Sequence, residues 1–136
     1  MTEDQLKQFI HKHNLAVIST FGEEYPESAV IEFGDNGLEL IFDAEGGSRK
    51  HQNILRSPKV SFVIGWDENK TVQYEGEAML LEGDELKRYK QFYFAKNPEA
   101  QRWESEPGIV YFKVTPKWIR YTDLNVEPWL TKEMRF

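Results

Sequence analysis

Cysteine is absent from the 136 residues, which removes disulfides, thiolate metal sites and cysteine nucleophiles together. That absence fits a reducing compartment. No apolar run approaches the roughly 20 residues that a membrane-spanning helix needs. The opening stretch MTEDQLKQFIHKH is polar and amphipathic, without the apolar centre of a secretory signal. The expectation is a cytoplasmic protein with no membrane partner. Positive charge is scarce as well. The formal net charge is −6, and from His13 to Glu45 there is neither Lys nor Arg. An acidic chain repels a phosphate backbone, so a nucleic-acid partner is not expected. Internal repeats, low-complexity tracts and interior linkers are missing, and the length suits one domain over 1–136. Nothing resembles a nucleophile elbow.

What is present can build a core: 40% of residues are hydrophobic and 14% aromatic. Leu6, Phe9 and Ile10 stand at helical spacing over residues 3–13, with Thr2 as a cap. Strands are expected at Leu15–Phe21, Ser28–Phe33 and Leu38–Phe42, the last two joined by the hairpin signal Asp35-Asn36-Gly37, so that the three form a meander. Ser48 can cap a helix that runs to about Arg56 and stops at Ser57-Pro58. Lys59–Trp66 and Thr71–Leu81 alternate as strands, the second with Gly76 as a bulge or bend. Residues 84–95 read as a helix and 98–103 as a helical turn, before two strands at Ile109–Val114 and Trp118–Tyr121 around Thr115-Pro116. With no βαβ alternation, the fold class is mainly β: a small antiparallel split β-barrel with short peripheral helices. The apolar tail, Val126 to Phe136, is expected to dock on the barrel or on a second subunit.

The few cations are gathered in one place. Arg49, Lys50, His51, Arg56 and Lys59 follow Gly46-Gly47-Ser48 with no acid among them. An island that compact suits one phosphate better than a polyanion. A helix start offers unpaired N–H groups and the positive end of the dipole. Ser48 can add a hydroxyl, Arg49 a bidentate fork and Lys50 a point charge. A Gly-Gly turn with a capped helix and two solvated cations is the plainer reading of the same four residues.

The surrounding order is a strand, Gly-Ser-Arg-Lys, a short helix, Ser-Pro-Lys-Val opening a strand, Trp66, and then Val72-Gln73-Tyr74-Glu75-Gly76-Glu77-Ala78. It resembles the pyridoxamine 5'-phosphate oxidase-like family of FMN-binding split barrels from about Leu15 to Tyr121, most tightly over residues 47–78. The resemblance implies a homodimer with FMN at the subunit interface. Ser48, Arg49 and Lys50 would take the phosphate, and the backbone of Asp43 and Ala44 would line the ring. The second strand, at Ser28 to Val30 and with Ser28 and Ala29 foremost, would run beside the flavin. A flavin-contacting Gln of the oxidases falls on Thr71, with Gln73 the nearest substitute. One of Trp118, Tyr121 and Trp129 would approach the partner's flavin. The oxidases also carry an Arg and a Lys in the second strand and a terminal Arg-x-His; residues 26–33 hold neither cation, and no His follows His51. The implied function is therefore an FMN-dependent oxidoreductase on an unidentified small substrate, not the oxidase proper. The alternative is a non-catalytic module of this fold that binds flavin, haem or a deazaflavin.

Other groups point to structure rather than chemistry. His11 and His13 do not face each other on a helix, and no metal site is expected from them. Tyr89, Phe92, Tyr93 and Phe94 read as core or dimer packing, and His51 as a residue behind the phosphate or in solvent.

Overall fold

The computed structural model describes residues 1–104 and 106–136. The chain begins with helix α1 (Glu3–His11), whose start is fixed by a reciprocal cap. The Gln5 N–H donates to Thr2 Oγ1 and the Thr2 N–H donates to Gln5 Oε1. Its apolar face, Leu6, Phe9 and Ile10, is buried. Strand β1 (Leu15–Phe21) alternates in burial, and it pairs antiparallel with β2 (Pro26–Glu32) on one side and β5 (Lys59–Ile64) on the other. A very short β3 (Gly34–Asn36) turns through Gly37 into β4 (Glu39–Glu45). Gly37 has φ +65°, the left-handed conformation the Asn-Gly turn requires. Helix α2 (Arg49–Arg56) follows, then β5, β6 (Lys70–Leu80), α3 (Gly83–Lys96), a 3₁₀ segment (Pro98–Trp103), β7 (Ile109–Asp123) and β8 (Leu130–Arg135).

The strands run β2-β1-β5-β6-β7-β4-β3 in one strongly curled, antiparallel half-barrel, with β8 on β7. Its concave face holds the larger core, including Phe42, Phe62, Tyr74 and Phe112. Phe42 stacks on Phe112 at 5.3 Å, and Phe62 meets Tyr74 edge-on at 5.6 Å. Tyr74 is fully buried, and its hydroxyl donates to Leu38 O at 2.7 Å. A second cluster, with Tyr89, Tyr93, Phe94 and Tyr111, packs α3 over β4 and β7. The aromatic run on α3 is thus largely core.

Two expectations change. The meander stops at β2, because β4 pairs with β3 and β7 and leaves β2 on the sheet edge. The two closing strands are one, β7, which continues through Pro116. The β6–β7 register shifts between Glu75 and Gly76, with Glu75 opposite Trp118 and Gly76 opposite Pro116, so Lys117 is the extra residue of a bulge. Proline cannot donate to a ladder, and here it falls at that interruption. One margin of β7 is consequently divided: residues 109–114 pair with β4 and residues 118–123 with β8. The tail does dock on the barrel, as a strand, while Trp129, Leu130 and Phe136 stay exposed. No helix among the described residues is long and apolar enough to cross a membrane.

Candidate functional site

The curled sheet leaves a seam where the β2 edge approaches β4, and α2 packs against β1 and β4 beside it. A groove of about 440 Å³ occupies this seam, lined among others by Ser28, Ala29, Ala44, Ser48, Arg49 and Lys50. Residues from three separated stretches of sequence therefore meet. The pleat explains who reaches it. Thr20 and Glu27, paired across β1 and β2, look into the seam, as do Ile18 and Ala29.

The turn that presents the cations is held from both sides. The Gly46 N–H donates to Gly108 O at 2.5 Å, and a Cβ on Gly46 would stand 2.8 Å from that oxygen. Gly47 has φ +82°, and its N–H donates to His51 Nδ1 at 2.9 Å. That bond places the proton of a neutral His51 on Nε2. The imidazole also packs edge-on against Phe112, 5.9 Å between centroids. His51 thus braces the turn from behind. Ser48 Oγ accepts from the His51 N–H at 3.3 Å, which caps α2 and leaves the hydroxyl proton available to a ligand. No acid occupies the first turn of α2, so the positive end of its dipole is uncompensated within the helix.

Arg49 is 82% exposed and forms an ion pair with Glu27. Lys50 is half-buried; burial lowers its pKa, while the nearby Asp43 carboxylate raises it. Asp43 itself is pushed up by burial, with the Tyr93 hydroxyl and Lys50 pulling the other way. Its side chain therefore belongs with α3 and its tyrosines rather than with the groove lining. Thr71 and Gln73 are not brought to the cradle either. Gln73 lies in the row Val30, Val17, Val63, Gln73 on the convex face, three strands from β2, or about 14 Å of sheet. Within one protomer the pleat keeps that row away from the helix start. Tyr121 is buried and meets Phe9 edge-on at 5.4 Å, so it cannot cover a ligand, whereas Trp129 is exposed.

The residue that sequence reasoning missed is Glu27. Its Oε1 accepts from Asn53 Nδ2 at 2.7 Å, and the same amide donates to Thr20 Oγ1 at 3.0 Å. Asn53 is buried and its Oδ1 accepts from Arg56 at 2.5 Å. The sequence carries little signal for Glu27: Asn53 is one polar residue of RKHQNILR, and only its burial, which demands partners, singles out Glu27. Separately, the β5–β6 loop brings Asp67 and Glu68 to His13, their ligand atoms within 4.8 Å of one another, although Lys12 pairs with Glu68.

The cradle fits a phosphate monoester: a hydroxyl donor, a guanidinium, an ammonium and a helix start converge on one open groove. No curated protein matches the chain. Solved structures share its fold. A putative pyridoxamine 5'-phosphate oxidase from Listeria innocua is 24% identical, with 91% of this chain and 98% of that one covered at TM-score 0.75. General Stress Protein 26 from Bacillus anthracis is also 24% identical, with 98% of both chains covered at TM-score 0.77. A heme-binding protein from Mycobacterium smegmatis reaches TM-score 0.85 at 15% identity, covering 99% of this chain but only 58% of that one. The family model for pyridoxamine 5'-phosphate oxidase matches residues 2–123, nearly the whole barrel and its cradle, and the chain belongs to that family.

Proposed function

We propose that the protein is a homodimeric FMN-binding flavoprotein and an oxidoreductase on a small substrate. One observation carries the reading: Ser28, Ala29, Ala44, Ser48, Arg49 and Lys50 line a single groove at the open seam. Ser48 would donate to the phosphate, with Arg49 and Lys50 neutralising it. The backbone of Asp43 and Ala44 would border the ring, with Ser28 and Ala29 along its side. Thr71 and Gln73 would meet the flavin only from its far end or from the second subunit. A bound flavin would supply the hydride and electron chemistry, while the chain binds, orients and shields it. Support for the dimer is the convex apolar row: Val30 is 63% exposed beside Val17 and Val63. The test is a titration of purified protein with FMN, followed by flavin fluorescence, on a sample whose mass in solution is measured. Wild-type protein binds and Arg49→Ala/Lys50→Ala loses most of the affinity. Wild-type protein that takes up no FMN overturns the reading.

A second reading rests on Glu27 and on the heme-binding relative. The seam puts a carboxylate beside Arg49, and β2 brings no cation of its own. That weakens the case for a phosphate, and a non-catalytic module for haem or a deazaflavin is the alternative that a heme-binding protein of this fold suggests. An absorbance screen with haem, deazaflavin and FMN separates the two.

A further inference from the structure

Arg49 is 82% exposed, yet its guanidinium is not unpaired. It is held by Glu27, and Glu27 is itself built into place. Its side chain is 23% exposed. One carboxylate oxygen accepts from the buried Asn53 amide at 2.7 Å and the other from Arg49. Asn53 is anchored in turn by Thr20 and Arg56. The turn after β1 gives room, since a Cβ on Gly22 would lie 2.5 Å from Glu27 Oε2. The ion pair contributes to the wall of the main groove and to that of a smaller cavity of about 290 Å³ lined by Glu23, Gln52 and Arg56. A phosphate at the helix start must therefore share or capture a guanidinium already committed to a carboxylate, and must sit near that negative charge.

We propose that Glu27 is an internal competitor for the anion cradle: it occupies Arg49 in the unliganded protein, weakens capture of phosphate-bearing ligands, and sets how easily they leave. This rests on the reading of the groove as a phosphate site. A carboxylate and a phosphate dianion close together repel, and a charge-assisted hydrogen bond to Arg49 can be satisfied by either. Removing the carboxylate returns the whole fork to the ligand, and the benefit is confined to ligands that carry a phosphate. Glu27 is a specificity-setting residue, because it acts through Arg49.

The experiment compares wild type with Glu27→Gln, which keeps an acceptor for Asn53, by fluorescence titration with FMN and with riboflavin. FMN should bind the variant roughly two- to fivefold more tightly, and riboflavin should bind both proteins equally. Glu27→Ser, which lacks the carboxylate by a different route, must move FMN affinity in the same direction. Equal FMN binding by the variants overturns the proposal, and weaker binding overturns it in favour of a role for Glu27 in orienting Arg49. An equal gain for riboflavin also overturns it. If no protein of the series binds FMN, the flavin reading fails by itself. Inorganic phosphate followed through the arginine side-chain NMR signals then decides the competitor. A response at lower phosphate concentration in Glu27→Gln supports it, and an identical response or none removes it.

Discussion

Lys96 Nζ lies 2.7 Å from Asp35 Oδ1, and both side chains are more than nine-tenths buried. The same ammonium donates to Ile10 O at 3.2 Å and stands 3.8 Å from the centre of the Phe33 ring. One charge therefore fastens α3 to β3 and to the end of α1. The second carboxylate oxygen of Asp35 faces His11 Nδ1 at 2.9 Å, a partner that is itself in solvent.

Removing Lys96 leaves the buried Asp35 carboxylate with only the solvent-exposed His11 beside it. Lys96→Met should cost about 3–5 kcal/mol of folding free energy, the usual penalty for breaking a buried ion pair. The double variant Lys96→Met/Asp35→Leu should recover a clear part of that loss. Urea denaturation of the three proteins measures it. A loss below about 1 kcal/mol for Lys96→Met would mean that water reaches the pair.

Asp43 gives a pH signature of opposite sign to that of a salt-bridged carboxylate. Burial raises its pKa in the folded state above the ordinary aspartate value, against the smaller pulls of Tyr93 and Lys50. The folded chain then binds a proton more readily than the unfolded chain, so stability falls as pH rises through that window. Wild type should gain stability on acidification from neutral pH toward the ordinary aspartate range, and Asp43→Asn should lack this increment. Denaturation midpoints for both proteins across that range are the measurement. Parallel curves would assign the dependence to another group.

Gly76 sits where β6 meets the bulge of β7. A Cβ there would be 2.5 Å from Thr115 O and 2.8 Å from Val114 Cγ1, and the first of these is backbone. Gly76→Ala should therefore destabilise by about 1–3 kcal/mol through forced displacement of the strand pair. Thermal and chemical melts against wild type check this, and an unchanged midpoint would show that the bulge can migrate.

Local signals were the readable ones. The Thr2 cap, the Ser48 cap, the Asn36-Gly37 turn and the Gly76 irregularity are written in a few adjacent residues, and each appears where the sequence predicts it. Pairing at long range was not readable. β4 finds β7 across about half of the chain, and nothing in LELIF names that partner. Pro116 reads as a break because proline ends most interior strands, yet the bulge beside it spares the strand. β8 was hidden by composition: LTKEMR is polar, and its pairing leaves nearly all its side chains in solvent. At the site, the cations were evident as an island in an acidic chain. Their acidic counterpart was not, because Glu27 is one of several acids before Glu45, and only the buried Asn53 singles it out.

Splitting one margin of β7 between two neighbours at Pro116 has a mechanical corollary. β4, which leads into the Gly46-Gly47 turn, leans on the first half, while the C-terminal ribbon leans on the second. The ribbon can fray, be clipped or be claimed by another molecule while the Gly46-Gly47 turn keeps its footing. Wear at one end of the molecule need not loosen its grip at the other.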